Sequence, residues 1–263
     1  MARYMINGIE YPSVTEILDI TTPPAGLMYW ALDEMGNSIK ENCVVSKDGY
    51  YNVHISDLEV AKKAHKEIKE EAANIGTEVH HLIERYIKNG DEVRKMELRD
   101  EVMKAMCAFW DWEALHNVKW LESEMTIVDT ILGYAGTLDA IALVDGFITV
   151  IDFKSSKKFY KKNYTQCVAY AHAQNRMRGC YHIQKKDGSD YLLDAGMPGG
   201  FDCIGVLRLD KFTGLPEWHY LDNQREIERR YQEFQALLNF YYLEKNRRLK
   251  NNPIAEAIKK QYK

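Results

Sequence analysis

Apolar positions recur at helical spacing through the first 116 residues and then give way to short runs of strand length. Ser13 and Glu16 stand at capping-box spacing, so a short helix is expected over Val14–Leu18. Thr21-Thr22-Pro23-Pro24 breaks the chain, and Pro24 suits the first turn of a second helix from Ala25 to about Glu41. Lys47-Asp48-Gly49 reads as a turn. Ser56 and Glu59 form another capping box, opening a long helical stretch to Asn89 with Gly90 as its stop. Glu97 to about His116 is again helical. Then Leu121–Val128, Gly136–Val144 and Phe147–Phe153 are rich in β-branched and apolar residues, with Asp145-Gly146 a hairpin turn between the last two. A helix over Asn163 to about Arg178 follows, then a strand pair at Phe201–Leu209 and Glu217–Leu221, and a last helix from about Asp222 to Lys245. No repeat or low-complexity linker divides the pattern. It predicts a single α/β domain over 1–263: a mainly helical portion (1–116), a sheet with its helix (117–221) and a C-terminal helix (222–263).

Composition narrows the classes. With 263 residues, 46% hydrophobic and 28% charged, the chain has the profile of a soluble globular protein able to bury a real core. No apolar run approaches the roughly 20 residues that span a bilayer, so no membrane association is expected. The N-terminus lacks the basic start and apolar core of a secretory signal, and it is not Arg/Ser-rich like a transit peptide. The five cysteines are odd in number and contain no C-x-x-C pair, which argues against zinc ribbons and cysteine-ligated iron–sulfur clusters and fits reduced thiols in a cytoplasmic protein. A net charge of -4 speaks against coating DNA by bulk charge but leaves room for a local basic groove.

Two aspartates interrupt the apolar strands. Phe147-Ile148-Thr149-Val150-Ile151-Asp152-Phe153 is nearly continuous in apolar residues, as in a central strand covered on both faces, and Asp152 is out of place there. Asp139 is the same anomaly in the preceding strand. A buried carboxylate is costly unless it is paired or binds a metal. With a two-residue turn at Asp145-Gly146, Asp139 falls opposite Asp152, their Cβ atoms about 4.5–5.5 Å apart, and Lys154 shares the face of Asp152. A divalent cation would turn the repulsion of the two acids into a binding site, and a lysine beside it suits phosphodiester hydrolysis. The alternative is a pair of fraying strand ends, one acid held by Lys154.

Gly136-Thr137-Leu138-Asp139 followed by Ile151-Asp152-Phe153-Lys154 resembles the paired motifs of the PD-(D/E)xK nuclease superfamily, and its RecB-like branch in particular. Gln166-Cys167-Val168-Ala169-Tyr170 matches that branch's Q-x-x-x-Y helix, and Gly76, His80 and Glu84 match its upstream G-x-x-x-H-x-x-x-E helix. Tyr11-Pro12-Ser13-Val14-Thr15 with Trp30-Ala31 is similar to the N-terminal segment of phage exonucleases and of the mitochondrial genome maintenance exonuclease. The likeness spans roughly Tyr11 to Tyr170. Leu138 stands where the superfamily name has proline, as is usual in this branch, and the cysteine set of its iron–sulfur members is absent. The resemblance implies a restriction-endonuclease-like mixed sheet flanked by helices, and catalytic Asp139, Asp152 and Lys154. The metal, Mg²⁺ or Mn²⁺, would be held by Asp139, Asp152, the Phe153 main-chain carbonyl and His80. Lys154 would position the attacking water. Gln166 and Tyr170 would touch the DNA backbone, with Ser155 and Lys157 beside them.

The remaining candidates stay open. Glu84 shares a helix face with His80 and is expected to hold its tautomer, whereas His81 points away. Glu124 is a weak ligand, a partner of Lys154, or a solvated strand-end acid. Lys154, Lys157, Lys158, Lys161 and Lys162 make either a solvated loop or a phosphate-tracking lip, with Tyr160 and Tyr164 able to stack on bases. Tyr29-Trp30, Tyr50-Tyr51, Trp110 and Trp112 read as core or interface, and His172 and His182 as incidental. The expected function is a metal-dependent DNA exonuclease on single strands or duplex ends, in a bacterial or phage-infected cell, with a recombination or replication protein as possible partner. A structure-specific endonuclease and an inactive nuclease fold that only binds DNA or protein are the alternatives.

Overall fold

The computed structural model describes residues 3–20, 25–177, 180–184, 190–194 and 200–245. Pro23, Pro24 and the side chain of His182 lie outside the described residues. Two compact units form: Thr22–Glu78, and the remainder, Met1–Thr21 with Val79–Lys263.

The smaller unit contains α2 (Ala25–Asn42), a two-stranded ribbon of β3 (Val44–Val45) and β4 (Tyr51–Asn52), α3 (Ile55–Ala61) and the start of α4 (Ala64–Asn89). The ribbon turns at Lys47-Asp48-Gly49, where Gly49 takes a positive φ of 83°. The predicted Ser56 cap is corrected. His54 is the N-cap of α3, its ring Nδ1 accepting from the Ser56 amide, because Ser56 already has helical backbone. The predicted long helix is also two helices, interrupted at Lys62 and Lys63. Tyr29 and Tyr50 are exposed, so they are not core.

The larger unit is mixed α/β. Its five-stranded sheet has the order β11-β10-β7-β6-β5, from β5 (Val118–Asp129), β6 (Tyr134–Val144), β7 (Phe147–Lys154), β10 (Cys203–Leu209) and β11 (Pro216–Leu221). All neighbours are antiparallel except β7 and β10. A parallel pair needs a long crossover, and α6 (Lys161–Arg176) with β8 (Cys180–Gln184) and β9 (Asp190–Asp194) lies in it. β8 and β9 join β1 (Arg3–Ile6) and β2 (Ile9–Pro12) in a second sheet of order β2-β1-β8-β9. The β1–β2 turn is Asn7-Gly8, both with positive φ. Asn-Gly is a strong hairpin signal that the helical reading of this region passed over.

The predicted β6–β7 turn holds. Asp145 and Gly146 have φ of 51° and 93°, and the ladder runs from Val144↔Phe147 to Ala140↔Ile151. β7 is buried on both faces: Cys167 of α6 lies 3.3 Å from the Val150 carbonyl, while Phe109 of α5 (Asp100–Leu115) meets Phe153 edge-on. Trp112 of the same helix is buried, as expected, against Trp120 and Trp218. Ser13 caps α1 (Val14–Leu18) by accepting from the Glu16 amide, but the reciprocal half of the capping box is missing. The Glu16 carboxylate is taken instead by Tyr241 and Lys245 of α7 (Gln224–Lys245). His172 stacks on Tyr231 of α7. Among the described residues no helix is long and apolar enough to cross a membrane.

Candidate metal centre

Asp139 sits where the sheet comes apart on both sides. The β5–β6 ladder pairs Ser123 with Ala140 and Met125 with Leu138 but skips the pair between them, Glu124 opposite Asp139. The β6–β7 ladder stops at Ala140↔Ile151, one step before Asp139 would face Asp152. Glu124 has φ +51°, a left-handed conformation that costs a non-glycine residue about 1–2 kcal/mol. Just before it, the β5 register shifts between Trp120 and Glu122. In place of a ladder bond, the Phe153 amide donates to Asp139 Oδ2 at 2.7 Å.

The side chain of His80 approaches this gap from α4. Its Nε2 lies 3.1 Å from the Phe153 carbonyl, and its Nδ1 lies 3.5 Å from Asp139 and 3.8 Å from Glu124. A carbonyl only accepts, so Nε2 donates to Phe153, and Nδ1 faces two carboxylates that favour a protonated ring. Burial pulls its pKa down, but the Asp139 charge together with hydrogen bonding to Asp139 and Glu124 outweighs burial and raises it to about 10. Burial pushes the Asp139 carboxyl up, yet the His80 cation holds it below the usual carboxylate range.

Asp152 is 1% exposed, and the Lys154 ammonium lies across both of its oxygens, at 2.8 and 2.7 Å. Burial raises the Asp152 pKa to about 6, and Lys154 offsets this only in part. Burial works against the Lys154 charge, but Asp152 and Asp139 overcome it, so the ammonium is held above its ordinary pKa.

The donor set differs from the expected one. Ligand atoms of His80, Glu124 and Asp139 lie within 4.8 Å of one another, a spacing suited to one cation. Asp152 is not in that group; its carboxylate is drawn to Lys154 instead. One imidazole and two carboxylates suit Mn²⁺ or Mg²⁺, toward which the His80 ring would have to give up a proton. The Phe153 carbonyl, expected as a ligand, accepts from His80.

The expectation for Glu84 is corrected. Its carboxylate pairs with Lys88 and His81, because Asp139, Glu124 and Phe153 already take both nitrogens of His80. His81 is exposed, as expected of a residue off the His80 face. Gln166 donates to the Tyr170 hydroxyl at 2.8 Å, and Tyr170 is buried, so its ring is a packing element. That ring explains Gly136: a Cβ there would sit 2.5 Å from Tyr170 Cε1. Ser155 is half-buried, and Lys157, Lys158 and Tyr160 are exposed. Two residues near the site escaped the sequence reading. The Tyr4 hydroxyl is 3.0 Å from Thr137 Oγ1. Arg208 is buried on β10, in register with Lys154. A charge inside Leu207-Arg208-Leu209 is the same kind of signal that singled out Asp152.

No protein-family model matches the chain, and a search of curated proteins finds no match to it.

Proposed function

We propose that the chain is a metal-dependent deoxyribonuclease, an exonuclease acting on single strands or strand ends, on a restriction-endonuclease-like sheet similar to that of the RecB-like PD-(D/E)xK nucleases. The observation that carries this reading is the convergence of His80, Glu124 and Asp139 at a broken point of the sheet, with Lys154 and Asp152 alongside. His80, Glu124 and Asp139 would hold the cation, which supplies Lewis-acid polarisation of the phosphate and of water. Lys154 carries its charge at neutral pH and so suits stabilising the negative charge that grows on the phosphate as water adds and the ester bond breaks. Asp152 fixes the lysine through both oxygens. A buried, unreactive pair would not need a strained Glu124 to bring a third acid to the same point.

The test is digestion of end-labelled single-stranded and duplex oligonucleotides with Mg²⁺, Mn²⁺ or EDTA. Cutting is expected with metal and not with chelator; full activity in EDTA would sink the reading. A closed single-stranded circle should resist, and digestion equal to that of the linear strand would favour an endonuclease.

A further inference from the structure

The segment that follows Lys154 is clamped from the far edge of the sheet. Arg208 is 6% exposed and lies beside Lys154 in the parallel β7–β10 ladder, at the carboxyl ends of both strands. Its Nη1 donates to the Ser156 carbonyl at 3.3 Å and to Asp210 at 3.1 Å, and its Nη2 to Glu217 of β11. A second contact lies three residues on: the Phe159 ring meets His219 of β11 with centroids 4.0 Å apart. The β10–β11 hairpin therefore grips Ser156 and Phe159. The residues between and after them face out, with Lys157, Lys158 and Tyr160 exposed and Lys158 lying over the Tyr160 ring. Two acids neutralise the guanidinium, so Arg208 is built to hold a backbone carbonyl rather than to meet a phosphate.

We infer that Arg208 is a positioning residue: by holding the Ser156 carbonyl it fixes Ser155–Tyr160 as a rim along which a nucleic-acid strand lies beside the metal centre. The rim offers lysines to the phosphates and an aromatic ring to the bases, which suits a single strand of any sequence. This rests on the nuclease reading for its substrate, while the clamp itself rests on geometry alone.

The experiment compares Arg208→Met, Arg208→Lys and Glu217→Gln in the full chain. Tryptic cleavage after the exposed Lys157 and Lys158 reads the clamp directly. Arg208→Met should speed it by at least about tenfold, Arg208→Lys by less, and Glu217→Gln little, since the Ser156 bond remains. For an oligothymidylate single strand, KM should rise about tenfold in Arg208→Met with kcat within about twofold, and Mn²⁺ affinity should stay unchanged. Unaltered cleavage in Arg208→Met overturns the clamp. A loss confined to kcat, or a Glu217→Gln variant that binds the strand more tightly, overturns the positioning role by making Arg208 a phosphate ligand. If Arg208→Met does not fold, Arg208→Lys carries the same readouts. Faster cleavage in a chain that neither binds nor cuts DNA keeps the clamp and rejects the nuclease reading instead.

Discussion

β5 carries two acids, a buried one at its end and a part-buried one in its middle, and the two are treated in opposite ways. Asp129 closes the strand. It accepts from the amides of Ile131 and Leu132 at 3.0 and 2.9 Å and from Arg176 at 2.7 Å, so each oxygen has a fixed donor. Glu124, five residues earlier, sits in strained backbone opposite Asp139, and both of these acids draw on the one His80 ring. Asp129 has its own donors, whereas Glu124 and Asp139 share one imidazole. A carboxylate that only ends a strand can be met completely by amides and one arginine. On the reading proposed above, two acids that share one imidazole are the place prepared for a cation.

The largest effects should separate the two ends. Asp139→Asn should lower kcat for phosphodiester cleavage by at least about a thousandfold and leave the fold intact, since several kcal/mol of transition-state stabilisation depend on the cation. Asp129→Asn should do the reverse. It leaves the partly exposed Arg176 without its acid and costs about 2 kcal/mol, a melting-temperature drop of roughly 5 °C, with kcat per folded molecule unchanged. Activity assays and thermal scans on both variants check this. An active Asp139→Asn, or an inactive but stable Asp129→Asn, would reverse the comparison.

Lys154→Ala should cut the chemical step by roughly a hundredfold or more while Mn²⁺ still binds, because the ammonium touches Asp152 and lies outside the three-donor group. Loss of the metal in calorimetry would make the lysine structural. Glu124→Asn is the sharper probe of strain. Asparagine tolerates left-handed backbone, so the strand should persist, with metal affinity down about tenfold or more and stability nearly unchanged.

The pH dependence is the finest test. His80 must lose a proton to ligate a metal, and its pKa is raised to about 10 when no metal is bound. Metal affinity should therefore rise with pH, by about tenfold per unit between pH 7 and 9, with about one proton released per ion. Calorimetry in buffers of different ionisation enthalpy measures that proton. In the metal-free chain the same ring contributes stability that is full below about pH 6.5 and is lost as pH climbs through about 10. Proton-independent metal binding at pH 8 would remove His80 from the ligand set.

Local pattern carried the five strands of the larger sheet and the register of β6 with β7. Strand alternation has a period of two, and Asp145-Gly146 admits a two-residue turn with both residues left-handed, so Asp139 and Asp152 had to arrive at one end of one hairpin. The anomaly of a charge in an apolar run marked Asp152, and would have marked Arg208 had it been applied to β10. What no local rule contains is which groups meet across the fold. Glu124 joins Asp139 because β5 leaves the ladder at one residue, and Asp152 turns to Lys154 because burial makes the nearest cation worth more than a more distant one. Glu84 and His80 share a helix face by spacing, but the sheet claimed the imidazole first. Periodicity and turns are properties of neighbouring residues and can be read from their order. The pairing of buried charges depends on distances that exist only once β5, β7, β10 and α4 have packed.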